Sequence, residues 1–472
     1  MTHSLLLVII FLPMLGSIFI SGAHDENRKN SVNVAIFTVL SNVFLILKLF
    51  SGIDTHSDNM QALNSYTWPI LPRVNVVFGI DMPSLLLILA VHLAMLIGIF
   101  ALKREKSSPK SVLFFAMCFL SSCNAYFSAI DVFSFYTFFV LMIVPLFMQI
   151  GIVGGEKKYK IISRFYLYNF IGAFLFLAAI VTIYAVVDRS VEINQISAVK
   201  LGDGYGIWVW SAIFLAFVSR IPVWPFHYWI TSISNLIKNP LIFIQLNLIP
   251  VAGLYGFIRF WPANIPSEIA SLAPVFEVFC VVTMLFISFS GFGNTSVKEK
   301  LFAYTMVYYL LYLIGVFLPT DILIDNIAYS LFAFILVVAT LTISITHIEQ
   351  ESERLLISSN GILCSMPKAS LIYSMLILVA IGLPVSALFW NNFIIISEIF
   401  NVSLYIGTAV IITLVLASIT MLQSLYGLKD NTCAFGLSDK IKDMDTTEFI
   451  VCIVVMVILF LSLFKPLWFT YG

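Results

Sequence analysis

The sequence predicts an all-α polytopic membrane protein of about fourteen transmembrane helices, with two inverted five-helix repeats and breaks in the seventh and twelfth helices. Three observations predict it. The 472 residues are 60% hydrophobic and 11% charged, with mean hydropathy +1.02, which is more apolar surface than a soluble core can hide. Fourteen apolar runs are each long enough to span about 30 Å of hydrocarbon. Prolines interrupt two of those runs at related places, at Ile221 to Pro225 and within GLPVSALFW, Gly382 to Trp390.

The runs begin near Leu5, Val34, Leu85, Leu113, Val132, Phe165, Ile207, Leu241, Val275, Leu301, Ile324, Leu371, Leu404 and Phe449. The first resembles a signal peptide in length, but no basic segment precedes it and further helices follow, so it reads as a retained helix. Loops after odd-numbered runs hold 18 of the 25 lysines and arginines, which puts both termini outside. Among these, KREK (Lys103 to Lys106) and KKYK (Lys157 to Lys160) suit headgroup anchors on the cytoplasmic side. The pattern divides the chain into residues 1–110, helices 1–3; 111–260, a first repeat of helices 4–8; 261–430, a second, inverted repeat of helices 9–13; and 431–472, helix 14. Both breaks then fall in the fourth helix of a repeat, and matched breaks in inverted repeats mark a transport path.

Charge and motif content exclude several functions. The 25 acidic residues balance the 25 basic ones, so no net charge steers the chain to nucleic acid. The six cysteines lack CxxC or CxxCH spacing, and there is no GxGxxG or P-loop, so no metal, haem, iron-sulfur or nucleotide site is indicated.

Arg220 is the one cation inside an apolar run, and it directly precedes the first break. Such a charge costs about 2.5–3.5 kcal/mol on insertion scales, so it needs a carboxylate, a hydrated cavity or a route to the interface. His227, seven residues on, is either a proton-exchanging group or a structural donor among Trp224, Phe226 and Trp229. His92 reads as a satisfied core histidine. Asp81 and Asp131 begin the third and fifth runs as helix caps. Glu277 and Glu398, within or near apolar stretches, are candidate relay carboxylates, and Glu277, close to a segment end, reads more simply as interfacial. Asp445 and Glu448 in DMDTTEF form a capped start to the last helix.

Six blocks, in order along the chain, resemble the antiporter-like membrane subunits of respiratory complex I, NADH:quinone oxidoreductase, and within them the M-type subunit, called subunit 4 in mitochondria. They are FGIDMPSL (Phe78 to Leu85), DVFSFYTFFVLMIVP (Asp131 to Pro145), SRIPVWPFHYW (Ser219 to Trp229) with LYGFIRF (Leu254 to Phe260), SVKEKLFAYTMVYY (Ser296 to Tyr309), NGILCSMP (Asn360 to Pro367) and AIGLPVSALFWNNF (Ala380 to Phe393). Subunits of multi-subunit sodium/proton antiporters share the fold.

The resemblance implies a proton-translocating module with no redox centre in this chain, driven by NADH and quinone chemistry elsewhere in the complex. It implies other complex I membrane subunits and the lipid bilayer as partners, with no nucleic acid. The abundant charged loops and full basic cytoplasmic face suit a bacterial inner (plasma) membrane, with the mitochondrial inner membrane as the alternative. Arg220, His227 and Lys300 become proton-path candidates. The family's relay residues are replaced: the fifth-helix glutamate by Val140, the seventh-helix lysine by Arg220, the eighth-helix lysine by Val251 and the twelfth-helix glutamate by Asn392. Two family histidines fall on Ser234 and Tyr309. A relay group must release its proton near neutral pH, and an arginine, with a pKa above about 12, does not. The expectation is a divergent proton-channel-like module of complex I, alternatively a cation/proton antiporter subunit or a non-pumping structural spacer.

Overall fold

Pro13, Asp81, Asp131, Pro240, Pro367 and Ser386 stand in or just before apolar runs, where a missing amide or a side-chain acceptor shapes a helix. The computed structural model describes residues 2–23, 29–54, 57, 59–68, 74–102, 110–154, 158–187, 191–198, 205–224, 226–227, 237–264, 272–294, 296–318, 322–355, 361–384, 386–429 and 441–462.

The helices, in chain order, are α1 (Thr2–Gly22), α2 (Lys29–Phe50), α3 (Met82–Leu102), α4 (Lys110–Ser128), α5 (Val132–Leu141), α6 (Ile143–Val153), α7 (Lys158–Val187) and α8 (Tyr205–Val218). They continue with α9 (Pro240–Asn264), α10 (Ala273–Gly293), α11 (Val297–Phe317), α12 (Ile322–Leu355), α13 (Pro367–Ile381), α14 (Ala387–Val402), α15 (Leu404–Lys429) and α16 (Thr446–Leu461). Counting α5 and α6 as one, eleven among the described residues are long and apolar enough to cross a membrane. Each of the run starts read from the sequence falls in one of these helices, α6 and α14 being continuations past an interruption. The chain is an all-α polytopic membrane protein.

α9, α11 and α12 are apolar on every side and are buried on every side. α12 runs along α3 and packs on α9, α11 and α14, so it forms the axis of the molecule. By contrast α1, α2, α7, α10 and α15 leave more than half of their apolar windows uncovered, as helices facing a bilayer or a partner do.

The sequence reading did not anticipate a hairpin between α2 and α3. Strands β1 (Gln61–Thr67) and β2 (Asn75–Ile80) pair antiparallel, with a bulge between Gln61 and Asn64. The hairpin is tied to the α4–α5 junction, where Ile130 N donates to the Val77 carbonyl at 2.9 Å and Val77 N donates to Asp131 Oδ2 at 2.8 Å. Asp131 Oδ1 caps α5 through the Ser134 amide at 2.8 Å, so both of its oxygens are occupied by backbone.

Candidate functional site

The seventh run is helical as α8 and unwinds at Ser219, because Pro222 offers no amide to continue the ladder. Tight bonds replace it, from Arg220 N to Phe217 O at 3.1 Å and from Ile221 N to Val218 O at 3.1 Å. The unwound chain lies close to two neighbouring helices. A Cβ on Gly253 of α9 would come within 2.9 Å of Ile221 Cγ1 and the Phe217 carbonyl, and one on Gly172 of α7 would run into the Ser219 hydroxyl. Glycine at both places is what admits the break.

Arg220 is completely buried. Its Nη2 donates to the Phe139 carbonyl, its Nη1 lies 3.9 Å from Met142 Sδ, and its guanidinium carbon stands 3.3 Å above the Phe139 ring. Phe139 lies in the last turn of α5, where carbonyls lack helical partners and a cation meets the negative end of the helix dipole. A backbone oxygen and a ring thus take the place of a carboxylate, and Nε is buried with no acceptor. Among the described residues no carboxylate pairs with Arg220, whereas Arg259 pairs with Asp81 and Lys298 with Glu349. The surroundings are aromatic, with Phe135, Phe139, Phe176, Phe217 and Phe260 in mutual ring contact.

The structure brings Arg220 to the stretch of α5 around Val140, where Phe139 just before it and Met142 two residues after it supply the contacts. His227 is partly buried with its ring 5.9 Å from that of Phe286 on α10, and no described contact joins it to Arg220. Beside it Trp224 N meets Thr283 Oγ1 at 3.4 Å. Lys300 stands apart in the first turn of α11, near the Lys298–Glu349 pair. Pro225, Trp229 and Ser234 lie outside the described residues.

The twelfth run breaks between α13 and α14. α13 ends on Gly382 at φ +110°, a left-handed backbone that favours glycine, and Ser386 starts α14 by accepting from the Phe389 amide at 3.3 Å. Pro384 cannot donate to the carbonyl four residues back, at Ala380. Two tyrosines of α11 donate to it instead, Tyr304 at 2.7 Å and Tyr308 at 3.2 Å. Tyr309 donates to the Asn247 carbonyl at 2.6 Å, one turn before Val251, and Asn392 lies by the Tyr312 hydroxyl. The replaced positions Val251, Tyr309 and Asn392 are all buried here.

Other sequence readings resolve as follows. His92 is a satisfied core histidine, bonded through both ring nitrogens to Asn42 and the Ile88 carbonyl. Asp81 caps Ser84 of α3 at 3.1 Å and also holds Arg259 of α9 through two 2.5 Å contacts, joining the FGIDMPSL and LYGFIRF blocks. Burial pushes the Asp81 carboxyl up, but the Arg259 guanidinium and Ser84 outweigh it and hold the group below the usual carboxylate range. Glu277 is buried, in the second turn of α10. Glu398 accepts from Asn401 at 3.3 Å. Asp445 occupies the N-cap position of α16 without a side-chain bond to that helix. Its neighbour Asp443 does the unforeseen work: its two oxygens accept from the Lys368 and Ala369 amides at 2.8 and 3.1 Å, capping α13, whose own N-cap, Met366, has no side chain to do so.

A family model described as NADH:quinone oxidoreductase/Mrp antiporter, TM, matches residues 129–420, which includes Arg220 and both breaks. The chain belongs to this family. Among its similar members, NADH-quinone oxidoreductase subunit M of Rickettsia typhi is 24% identical over 431 residues, covering 88% of this chain and 86% of that protein. NADH-ubiquinone oxidoreductase chain 4 of Marchantia polymorpha is 23% identical over 417 residues, covering 87% and 83%. Among solved structures, a chain of respiratory complex I from Thermus thermophilus superposes with a TM-score of 0.86 at 20% identity over 98% of this chain and 96% of that one. A chain of the Mrp complex of a Dietzia species gives 0.76 at 16% identity, over 90% and 80%. Both structural likenesses place this family member in the antiporter-like fold.

Proposed function

We propose that this chain is the M-type subunit in the membrane arm of a proton-translocating NADH:quinone oxidoreductase. The observation that carries the reading is the family match across both broken helices, joined to subunit M relatives aligned along most of their length. In this reading the chain crosses the membrane fourteen times, with helices 4–8 (111–260) and 9–13 (261–430) as inverted repeats. Both termini lie outside, in a bacterial inner membrane or the inner mitochondrial membrane. The chain carries no cofactor; NADH and quinone react on other subunits, and its partners are the adjoining membrane subunits. Gentle purification from the native membrane tests this: the protein is expected to travel with the quinone-reducing complex, and a chain never found with it sinks the assignment. If loss of the gene instead impairs growth at high sodium and alkaline pH while NADH oxidation stays normal, the chain is an antiporter subunit.

Within that role a second reading, a structural spacer that moves no protons, is favoured by one observation. The Arg220 guanidinium is spent on the Phe139 carbonyl and ring, with valine where the family has glutamate. Arg220→Ala separates the readings by protons moved per electron in an assembled complex. An unchanged ratio fits the spacer, and a halved ratio rules it out.

A further inference from the structure

Between α1, α2, α3 and α4 lies a polar cluster remote in sequence from both breaks. Pro13 interrupts α1, so the Ile9 carbonyl receives no amide from four residues on. Two asparagines supply it instead, Asn42 Nδ2 from α2 at 3.0 Å and Asn124 Nδ2 from α4 at 2.9 Å. A carbonyl oxygen only accepts, so each amide must present its nitrogen to Ile9, and its oxygen is turned elsewhere. His92 fixes the Asn42 orientation independently. Its Nδ1 lies 2.8 Å from the Ile88 carbonyl and so donates, which leaves Nε2 as the acceptor for Asn42 Nδ2 at 2.9 Å. The ring is therefore neutral.

This arrangement leaves Asn42 Oδ1 and Asn124 Oδ1 buried with no donor, in residues that are 0% exposed. Each orphan oxygen belongs to an amide whose nitrogen touches the same Ile9 carbonyl, so two unsatisfied acceptors belong to the polar cluster at one turn of α1. Buried amide carbonyls are nearly always hydrogen-bonded, and in apolar surroundings an unmet one is costly.

We propose that the polar cluster at the Pro13 turn of α1 is a buried water site, in which at least one water donates to both Asn42 Oδ1 and Asn124 Oδ1. Water has the two donors required and no charge. A metal cation would find the same oxygens, but Asn42, Asn124 and neutral His92 bring no negative charge to compensate it in an apolar bundle. The water links α2 to α4 and, through Asn42, extends a hydrogen-bonded path to His92, so the first four helices hold a wet polar unit of their own.

The test uses the intact assembly, in a density map fine enough to show ordered waters and in water-edited solid-state NMR of amide-labelled asparagine. Expected are a density within hydrogen-bond reach of both Oδ1 atoms and magnetisation transfer from water to both amides. Asn124→Leu should abolish the transfer at Asn42, with Asn124→Ser as the variant to use if the leucine protein fails to assemble. A wild-type protein with no density and no transfer, or transfer to one amide alone, overturns the shared site. A density that disappears when Na⁺ and K⁺ are replaced by choline marks a cation and overturns the water.

Discussion

The two broken helices meet the same difficulty and answer it with opposite chemistry. Past α8 the chain unwinds among phenylalanines, and the polar group there is the guanidinium of Arg220, which turns to the carbonyl at the end of α5. Between α13 and α14 the freed carbonyl of Ala380 is met by two neutral hydroxyls from α11, and no charged side chain is involved. What the halves share is what they lack. An arginine holds its proton above about pH 12 and a tyrosine near pH 10 in ordinary surroundings, so neither group exchanges protons at neutral pH. At both breaks the polar side chains are bonded to backbone carbonyls.

That comparison can be broken by substitution. The largest effect is expected at Arg220→Ala, which empties a fully buried site and should cost about 2–5 kcal/mol in detergent unfolding. Arg220→Met, which refills the space without charge, should come within about 1 kcal/mol of the parent, as apolar replacements of buried ions often do. A methionine variant as damaged as the alanine one would mean that the charge itself holds the first half together. The tyrosine side comes next. Tyr304→Phe or Tyr308→Phe alone leaves one donor on Ala380, so each should cost less than about 1 kcal/mol, whereas the double variant strands the carbonyl and should cost about 1–3 kcal/mol. Additive losses would show that the two hydroxyls do not share one acceptor. Ser386→Ala removes the cap of α14 and should lower stability by about 1 kcal/mol.

The smallest effect in the neutral range belongs to Arg259, a partly buried arginine that does have a carboxylate. The folded pKa of Asp81 is depressed, so its contribution is fully present above its unfolded pKa of about 3.9 and is lost only as pH falls through the folded value. Unfolding midpoints followed from pH 8 to pH 3 should therefore hold steady from this pair until the acid end, and Asp81→Asn should remove that acid limb. A loss already at pH 6 would place its cause elsewhere.

Much of this could be read from residue order alone. The helices, both breaks and the position of Arg220 follow from hydropathy and proline placement. Proline also names the carbonyl it orphans, four residues back, so Pro13 points to Ile9 and Pro384 to Ala380. It does not name the donors. Asn42, Asn124, Tyr304 and Tyr308 come from helices distant in sequence, and nothing local marks them. Arg220 was hidden in the same way, since a search for its partner looks for carboxylates, and a backbone oxygen on Phe139 leaves no trace in composition. The β1–β2 hairpin went unread because a short polar strand such as QALNSYT carries too little alternation to stand out beside membrane helices. Asp81 and Asp131 were legible as caps, but not the additional bonds to Arg259 and Val77.

The cap on α13 has a consequence in the order of synthesis. Asp443 lies 75 positions after Lys368, whose amide it receives. At about 5–20 residues per second, a ribosome needs about 4–15 s to travel that distance. During that interval α13, α14 and α15 emerge while the first turn of α13 still lacks its acceptor, so this helix is finished only after two further helices have been made.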